Sequence, residues 1–455
     1  MSFSLQTQGV PVPTHPLAHV RASRGWSQQR LAELLQRHAR ASRINLGTGK
    51  NRIWRWENYG TIPDEETQLL LAELLEVSAK HVAEHPWPHW LPAWEDVRFT
   101  FPWTRGGSLQ ALHEAAHQAT ADHRSFVGLT GRALTDVAQG WQLVEPRRAR
   151  VVRGRQRVDG DVAHRVGERI HHLRRMDDNL GGGAIRLLVI EELSLVTGLL
   201  HDGAYSAEVS RRLFAAAAEL AQLAGWASFD AGLHGAAQRC YVAALHAAHT
   251  GRDRPLGAYI LACMSEQLAC VGLARDAVTL ARAAVESTRD TAPAKVTATS
   301  RFQLAAALAG TGDVRACART LESAAGDAAA IDQGYDLHPR WLYWLDSAHL
   351  DAMEGRCLVA LDHPGQAVEH LQRATQAELP EFVRDGAVHL TWLAEAHLVR
   401  GELDKARAVV SRARELAEQV HSTRAGELVQ VLQRQLASYD DPTAGARPCA
   451  SGSLR

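Results

Sequence analysis

From Ala218 to Leu245 the chain reads AELAQLAGWASFDAGLHGAAQRCYVAAL. Apolar residues recur at helical spacing on either side of Asp230-Ala231-Gly232, so the stretch predicts two helices with a stop between them. Small residues stand where the two helices would touch: Gly225 and Gly232, then Ala237 and Ala244, with Tyr241 between the last two. The pattern returns. Ala237 has counterparts at Ala277, Ala316, Ala367 and Ala406, in steps of 40, 39, 51 and 39, and Ala244 has counterparts at Ala284, Ser323, Ala374 and Ala413. Two antiparallel helices approach closely only where the facing side chains are no bigger than a methyl or hydroxymethyl group. Gly232, Gly272 and Gly401 would each end a first helix in the left-handed conformation that other residues resist.

This spacing resembles the tetratricopeptide repeat, whose 34-residue unit carries small residues, a Gly, an Ala and an aromatic at these relative positions. The resemblance implies an α-solenoid over residues 206–438, with helices longer than usual and an insertion around Tyr335 to Trp344 in the long step. Residues 108–205 are helical too, broken at Asp159-Gly160 and at Gly181-Gly182-Gly183, and read as degenerate pairs extending the same superhelix. Helical periodicity runs from Leu17 to Leu436 with almost no alternation of period two, so the fold class is all-α. The flanks read as flexible: an N-terminal tail, 1–15, and a tail rich in Asp, Pro, Ser and Gly, 439–455.

Residues 86–107 carry closely spaced prolines that no helix tolerates, and read as a linker between a small domain, 16–85, and the large one. Its Trp87, Trp90, Trp94 and Trp103 are expected to pack the connection onto a domain. The small domain opens with a short helix at Leu17 to Arg21. GWSQQRLAELL follows from Gly25 with a Ser cap, then NRIWRWEN from Asn51, then Pro63 and LLLAELLEV from Leu69. This order resembles the Cro/C1-type (XRE-family) helix-turn-helix repressors, which implies a five-helix domain with a recognition helix in the major groove of DNA. One departure is the insertion between Leu35 and Lys50, expected to lengthen the second helix. The resemblance places Gln28 and Gln29 at the phosphate-gripping helix start and Arg43 beside them. It also places Lys50, Asn51, Arg52 and Arg55 on the recognition helix, Ile53 and Trp56 in the core, and Glu57 in the domain's own framework. Arg matches the O6/N7 edge of guanine and Asn the N6/N7 edge of adenine, whereas Lys also suits phosphate.

Charge agrees with this reading. The whole chain has 50 basic against 51 acidic residues, yet Arg21 to Gly60 holds nine basic and two acidic, a local +7 where phosphates would lie. A second basic run, Arg147 to Arg157, has no accompanying motif and reads as a solvated loop or subunit contact. No apolar stretch approaches the ~18 to 20 residues of a membrane span, and the opening MSFSLQTQGVPVPTHP lacks a signal-peptide pattern. The six cysteines are scattered without a CxxC pair, as in a reducing, cytoplasmic setting.

Two alternatives remain beside the DNA reading. His113-Glu114-Ala115-Ala116-His117 fits the zinc-protease pattern HExxH, with His123 at a third-ligand spacing, but Thr120 stands where that pattern needs Gly and no upstream strands shape a cleft. The repeats could also serve a protein scaffold with DNA binding secondary. The combination of reader and repeats resembles the peptide-pheromone sensors of Gram-positive bacteria and the actinomycete regulators of development and antibiotic production. That resemblance implies a cytoplasmic homodimer, no enzyme activity, no cofactor, double-stranded operator DNA as partner, and an effector held in the concave groove. The effector is a peptide or a small molecule; the repeats lack the Asn residues that clamp peptide backbones in pheromone sensors. Groove candidates on the first helices are Tyr259, Glu266, Arg301, Trp392 and Glu395.

Overall fold

The computed structural model describes residues 16–440 except 25, 42–43, 45, 59–60, 76, 78, 85–86, 89, 92–100, 122–128, 148–150, 155, 290–291, 332–337 and 377–381. These residues are overwhelmingly α-helical, and they divide into two compact units, one holding residues 16–91 and 129–130 and the other residues 101–121 and 131–440.

The first unit contains α1 (Pro16–Ser23), α2 (Gln28–Ala41), α3 (Lys50–Asn58), α4 (Glu65–Leu74) and α5 (Ala79–Glu84). The Ser27 hydroxyl accepts the Arg30 amide at 3.0 Å and starts α2; Asp64 accepts the Thr67 amide at 2.9 Å and starts α4. Leu17, Leu31, Leu35, Ile53, Trp56 and Leu71 share one core, each no more than 1% exposed. The inserted stretch lengthens α2 only as far as Ala41. Its remainder is pinned where Gln36 donates to the Thr48 carbonyl at 2.7 Å and the Ile44 amide to the Ala39 carbonyl at 2.8 Å. Trp87 and Trp90 close this core, Trp90 donating to Gln68 at 2.8 Å. Trp103 instead stacks on His246 in the second unit, its ring centroid 4.0 Å away, so the linker indoles are divided between both units; Trp94 lies outside the described residues.

The second unit opens with α6 (Arg105–Ala121), α7 (Arg132–Leu143), α8 (Gly160–Leu180) and α9 (Gly182–Asp202). Two-residue strands Gln156–Arg157 and Gly203–Ala204 pair in parallel, a small exception to the all-helical pattern. Five helix pairs follow: α10 (Ala207–Asp230) with α11 (His234–Gly251), α12 (Arg254–Cys270) with α13 (Ala274–Ser287), α14 (Ala294–Thr311) with α15 (Val314–Ile331), α16 (Ser347–Ala360) with α17 (Pro364–Gln376), and α18 (Val383–Val399) with α19 (Leu403–Ala417). α20 (Thr423–Asp440) ends the row. Each pair turns on one device. Gly232, Gly272, Gly312, Asp362 and Gly401 all take positive φ, and the next residue's amide reaches back to the carbonyl five residues earlier, as from Leu233 to Ser228 at 2.8 Å.

Counting from these stops corrects the third repeat. The residue five after Gly312 is Cys317, fully buried, and seven further on is Ala324, also fully buried, whereas Ala316 is half-buried and Ser323 exposed. The small-residue stripe therefore runs through Cys317 and Ala324, one residue beyond the positions the sequence spacing picked out. A second correction concerns 108–205. Helices α8 and α9 join the row through α10, but α6 lies chiefly on α11 and α9, and α7 chiefly on α13 and α11. The last two inner helices meet the first two, α18 against α8 and α20 against α10. The His421 amide donates to the Leu180 carbonyl at 2.9 Å and the Gly183 amide to the His421 carbonyl at 3.0 Å, so the inner helices close into a ring.

Close approach makes a testable demand at Gly225, where an added Cβ would lie 2.6 Å from the fully buried Tyr241 ring. Gly225→Ala should cost about 1–3 kcal/mol of unfolding free energy. Gly167→Ala on α8, whose Cβ would meet nothing within 4 Å, should instead gain about 0.5–1 kcal/mol from helix propensity. Urea denaturation of the two variants beside the parent chain checks both signs.

Candidate nucleic-acid face and ligand chamber

In the first unit, α3 buries Ile53, Trp56 and Glu57 and exposes Lys50, Asn51, Arg52, Trp54 and Arg55. Glu57 is 6% exposed and takes hydrogen bonds from Arg21 Nε at 2.8 Å and Gln28 Nε2 at 2.7 Å. Gln28, read from the sequence as a phosphate contact, is thus committed to the unit's framework. Gln29 is exposed and donates to Glu33 at 3.0 Å, and Arg52 pairs with Asp64 at 3.0 Å. Thr67 and Arg52 together hold the Asp64 carboxyl below its ordinary range. Arg43 lies outside the described residues. Lys50, Asn51 and Arg55 remain as exposed polar groups on one short helix, joined by Trp54 at 43% exposure. Sequence reasoning passed over Trp54, although its spacing from Asn51 puts both on one helical face.

The second unit encloses a chamber at the centre of its ring, with about 920 Å³ free of protein atoms, its open side included. Every inner helix contributes: α8, α10, α12, α14, α16, α18 and α20. Of the groove candidates, Tyr259, Glu266 and Trp392 line it. Arg301 does not; it pairs with Asp327 of the outer helix α15. Glu395 is buried outside the lining.

Charges in this chamber come in buried pairs. Arg384 reaches Asp177 at 2.6 Å and Asp385 at 3.1 Å, and Arg424 reaches Glu266 at 3.2 Å and Asp230 at 3.4 Å. Burial works against the Arg384 charge, but Asp177 and Asp385 overrule it and raise its pKa well above the usual value. Burial likewise opposes charge on His349, yet the carboxylates of Asp346 at 2.8 Å and Asp385 at 3.6 Å lift it to about 9. Its neighbour His389 has no such partner to match burial and the nearby His349 charge, and falls to about 3. Burial pushes Asp178 up to about 7 against the pull of its Tyr343 and Arg384 partners. Both Tyr343 and Trp344 come from the inserted stretch. That stretch folds inward because Trp341 stacks on Tyr259 at 4.8 Å and Lys295 donates to the Leu345 carbonyl at 2.8 Å.

Elsewhere, His113 and His117 lie against each other on the exposed face of α6, ring centroids 3.9 Å apart and planes tilted by 33°, and His123 lies outside the described residues. Among the described residues, no group of three His, Cys, Asp or Glu is placed to hold a metal ion. No described helix is long and apolar enough to cross a membrane.

A pH dependence follows from the chamber. Folded Asp178 and folded His349 both keep a proton that the unfolded chain, at ordinary values of 3.8 and 6.5, gives up earlier. The Asp178 contribution is whole below its unfolded value and lost as pH rises through about 7; that of His349 is whole below 6.5 and lost through about 9. Unfolding free energy should therefore decline from pH 6.5 to 9, and His349→Gln should flatten the decline. An unchanged slope in the variant, measured by urea titration across that range, would contradict the assignment.

Comparison of the chain with protein-family models, with curated proteins and with solved structures returned no match.

Proposed function

We propose that the protein is a DNA-binding transcriptional regulator. In this reading the first unit is a Cro/C1-type helix-turn-helix domain, and the second a tetratricopeptide-like solenoid that dimerises and takes an effector. The observation that carries it is α3: Lys50, Asn51 and Arg55 stand exposed on one short helix within the +7 segment, while Ile53 and Trp56 anchor that helix in the core. Such a helix offers Arg and Asn to base edges and Lys to phosphate. Arg52 contributes less, since Asp64 already neutralises it. The effector part is supported by a chamber that draws on every inner helix, so that a bound molecule would touch the whole ring at once. Self-association is supported by α9, whose outward face carries Leu187, Leu188 and Leu195 at 52%, 47% and 54% exposure.

Anisotropy titrations of the full chain on the DNA upstream of its own coding sequence, at several salt concentrations, test the reading. Arg55→Ala should weaken specific binding by about 1–3 kcal/mol. Lys50→Ala should weaken all sequences alike and lower the salt slope by about 0.9. Absence of a salt-sensitive complex, or equal binding by Arg55→Ala, contradicts it and leaves the scaffold reading. For the dimer, the double variant Leu187→Glu, Leu195→Glu should sediment as a monomer where the parent sediments as a dimer; identical sedimentation removes α9 from the interface.

A further inference from the structure

A groove that receives an extended peptide must be open at both ends. This one is not: the row of inner helices closes on itself where Arg384 meets Asp177 at 2.6 Å, Ser422 donates to Asp230 at 2.7 Å, and His421 exchanges backbone hydrogen bonds with Leu180 and Gly183. The inserted stretch narrows it further, with Arg340 bonded to Glu168 of α8 at 2.7 Å and Tyr343 to Asp178. The space left, about 920 Å³ with its open side included, is lined by all seven inner helices and by Tyr343 and Trp344 of the inserted stretch.

Its walls define the chemistry. Trp226, Tyr259, Tyr343, Trp344 and Trp392 line it with aromatic surface. The chamber's Arg384 and Arg424 already have carboxylate partners, and Arg174 has Glu219 at 3.7 Å and donates to the Gln222 side-chain oxygen at 3.0 Å. A charged ligand would have to break one of these buried pairs, which is costly because it strands the other member. Four buried lining atoms have no hydrogen-bond partner; Nε of Arg174 and Nε2 of His349 each still face a carboxylate, Glu219 at 3.7 Å and Asp385 at 3.6 Å, which leaves the side-chain amide nitrogen of Gln303 and Oδ1 of Asp177, on residues 4% and 3% exposed. Buried polar atoms are seldom left this way, and an unsatisfied donor and an unsatisfied acceptor in one lining call for a ligand that can both accept and donate a hydrogen bond.

We propose that the chamber binds an uncharged, planar aromatic molecule bearing a hydroxyl group, whose oxygen accepts from the Gln303 amide and whose proton is offered to Asp177, while its rings pack among the indoles and phenols. This rests on the effector part of the regulator reading and names the class of effector.

Tryptophan-fluorescence and calorimetric titrations of the full chain test it with three probes of one ring system and different charge: 2-naphthol, 2-naphthoate and 2-naphthylmethylammonium. 2-Naphthol should bind saturably, one per chain, and about tenfold tighter than either ion; Gln303→Leu should weaken it by about tenfold, the worth of one buried hydrogen bond. Should Gln303→Leu fail to fold, Gln303→Glu keeps the side-chain size and should turn the preference toward the ammonium probe. No saturable binding of 2-naphthol, or tighter binding of either ion to the parent chain, overturns the inference. DNA titration of the same preparation separates the two claims. Naphthol binding without a DNA complex would sink the regulator and leave the ligand class standing; a DNA complex without naphthol binding would do the reverse.

Discussion

The second unit depends on the closure of its helix row by buried ion pairs. Arg384 of α18 is inserted between Asp177 of α8 and its own neighbour Asp385, and Arg424 of α20 between Asp230 of α10 and Glu266 of α12. Each guanidinium is nearly removed from water, so the pairs are stable only as complete sets with good geometry. Trp226 lies beneath both cations, 5.6 Å from the Arg384 guanidinium and 4.9 Å from that of Arg424, and adds attraction from its ring face. Without these contacts the row of pairs would end in two free faces, and the chamber would lose one wall.

The same pairs set the electrostatics of the interior. Because Asp346 and then Asp385, which also serves Arg384, face His349, the histidine holds its proton, and that proton in turn helps keep His389 neutral. The chamber thus combines a protonated imidazole, a neutral one and compensated guanidiniums within a lining of aromatic rings. Charge there belongs to the fold, which is why the ligand chemistry it favours is uncharged.

Much of the helix pairing was legible in the sequence, because its cause is local. A Gly such as Gly232 stops a helix by its own backbone freedom, and an Ala such as Ala237 marks a helix contact by its size. The third repeat was misplaced by one residue because Ala316 looked like the required small residue, while the buried one is Cys317, which is nearly as small. The equivalent stop at Asp362 was hidden because an Asp in the left-handed region leaves no compositional trace. Ring closure was beyond reach: Arg384 and Asp177 are 207 residues apart, and nothing in either neighbourhood announces the other. The inserted stretch showed itself only as a longer step, and its aromatic residues gained meaning once Trp341 was seen stacked on Tyr259. In the first unit the core positions Ile53 and Trp56 were expected from the family resemblance, but Gln28 and Arg52 had partners, Glu57 and Asp64, that the resemblance could not assign.

The formal charge of −1 conceals a segment around α3, Arg21 to Gly60, with nine basic against two acidic residues, and a second unit that buries charges in matched pairs. Whether α3 reads DNA is decided by a footprint of the full chain on the DNA upstream of its own coding sequence. The account predicts two protected half-sites on one face of the duplex, centred about one helical turn, ~10 base pairs, or a whole multiple of it apart. An unprotected ladder at low salt and high protein concentration would contradict it.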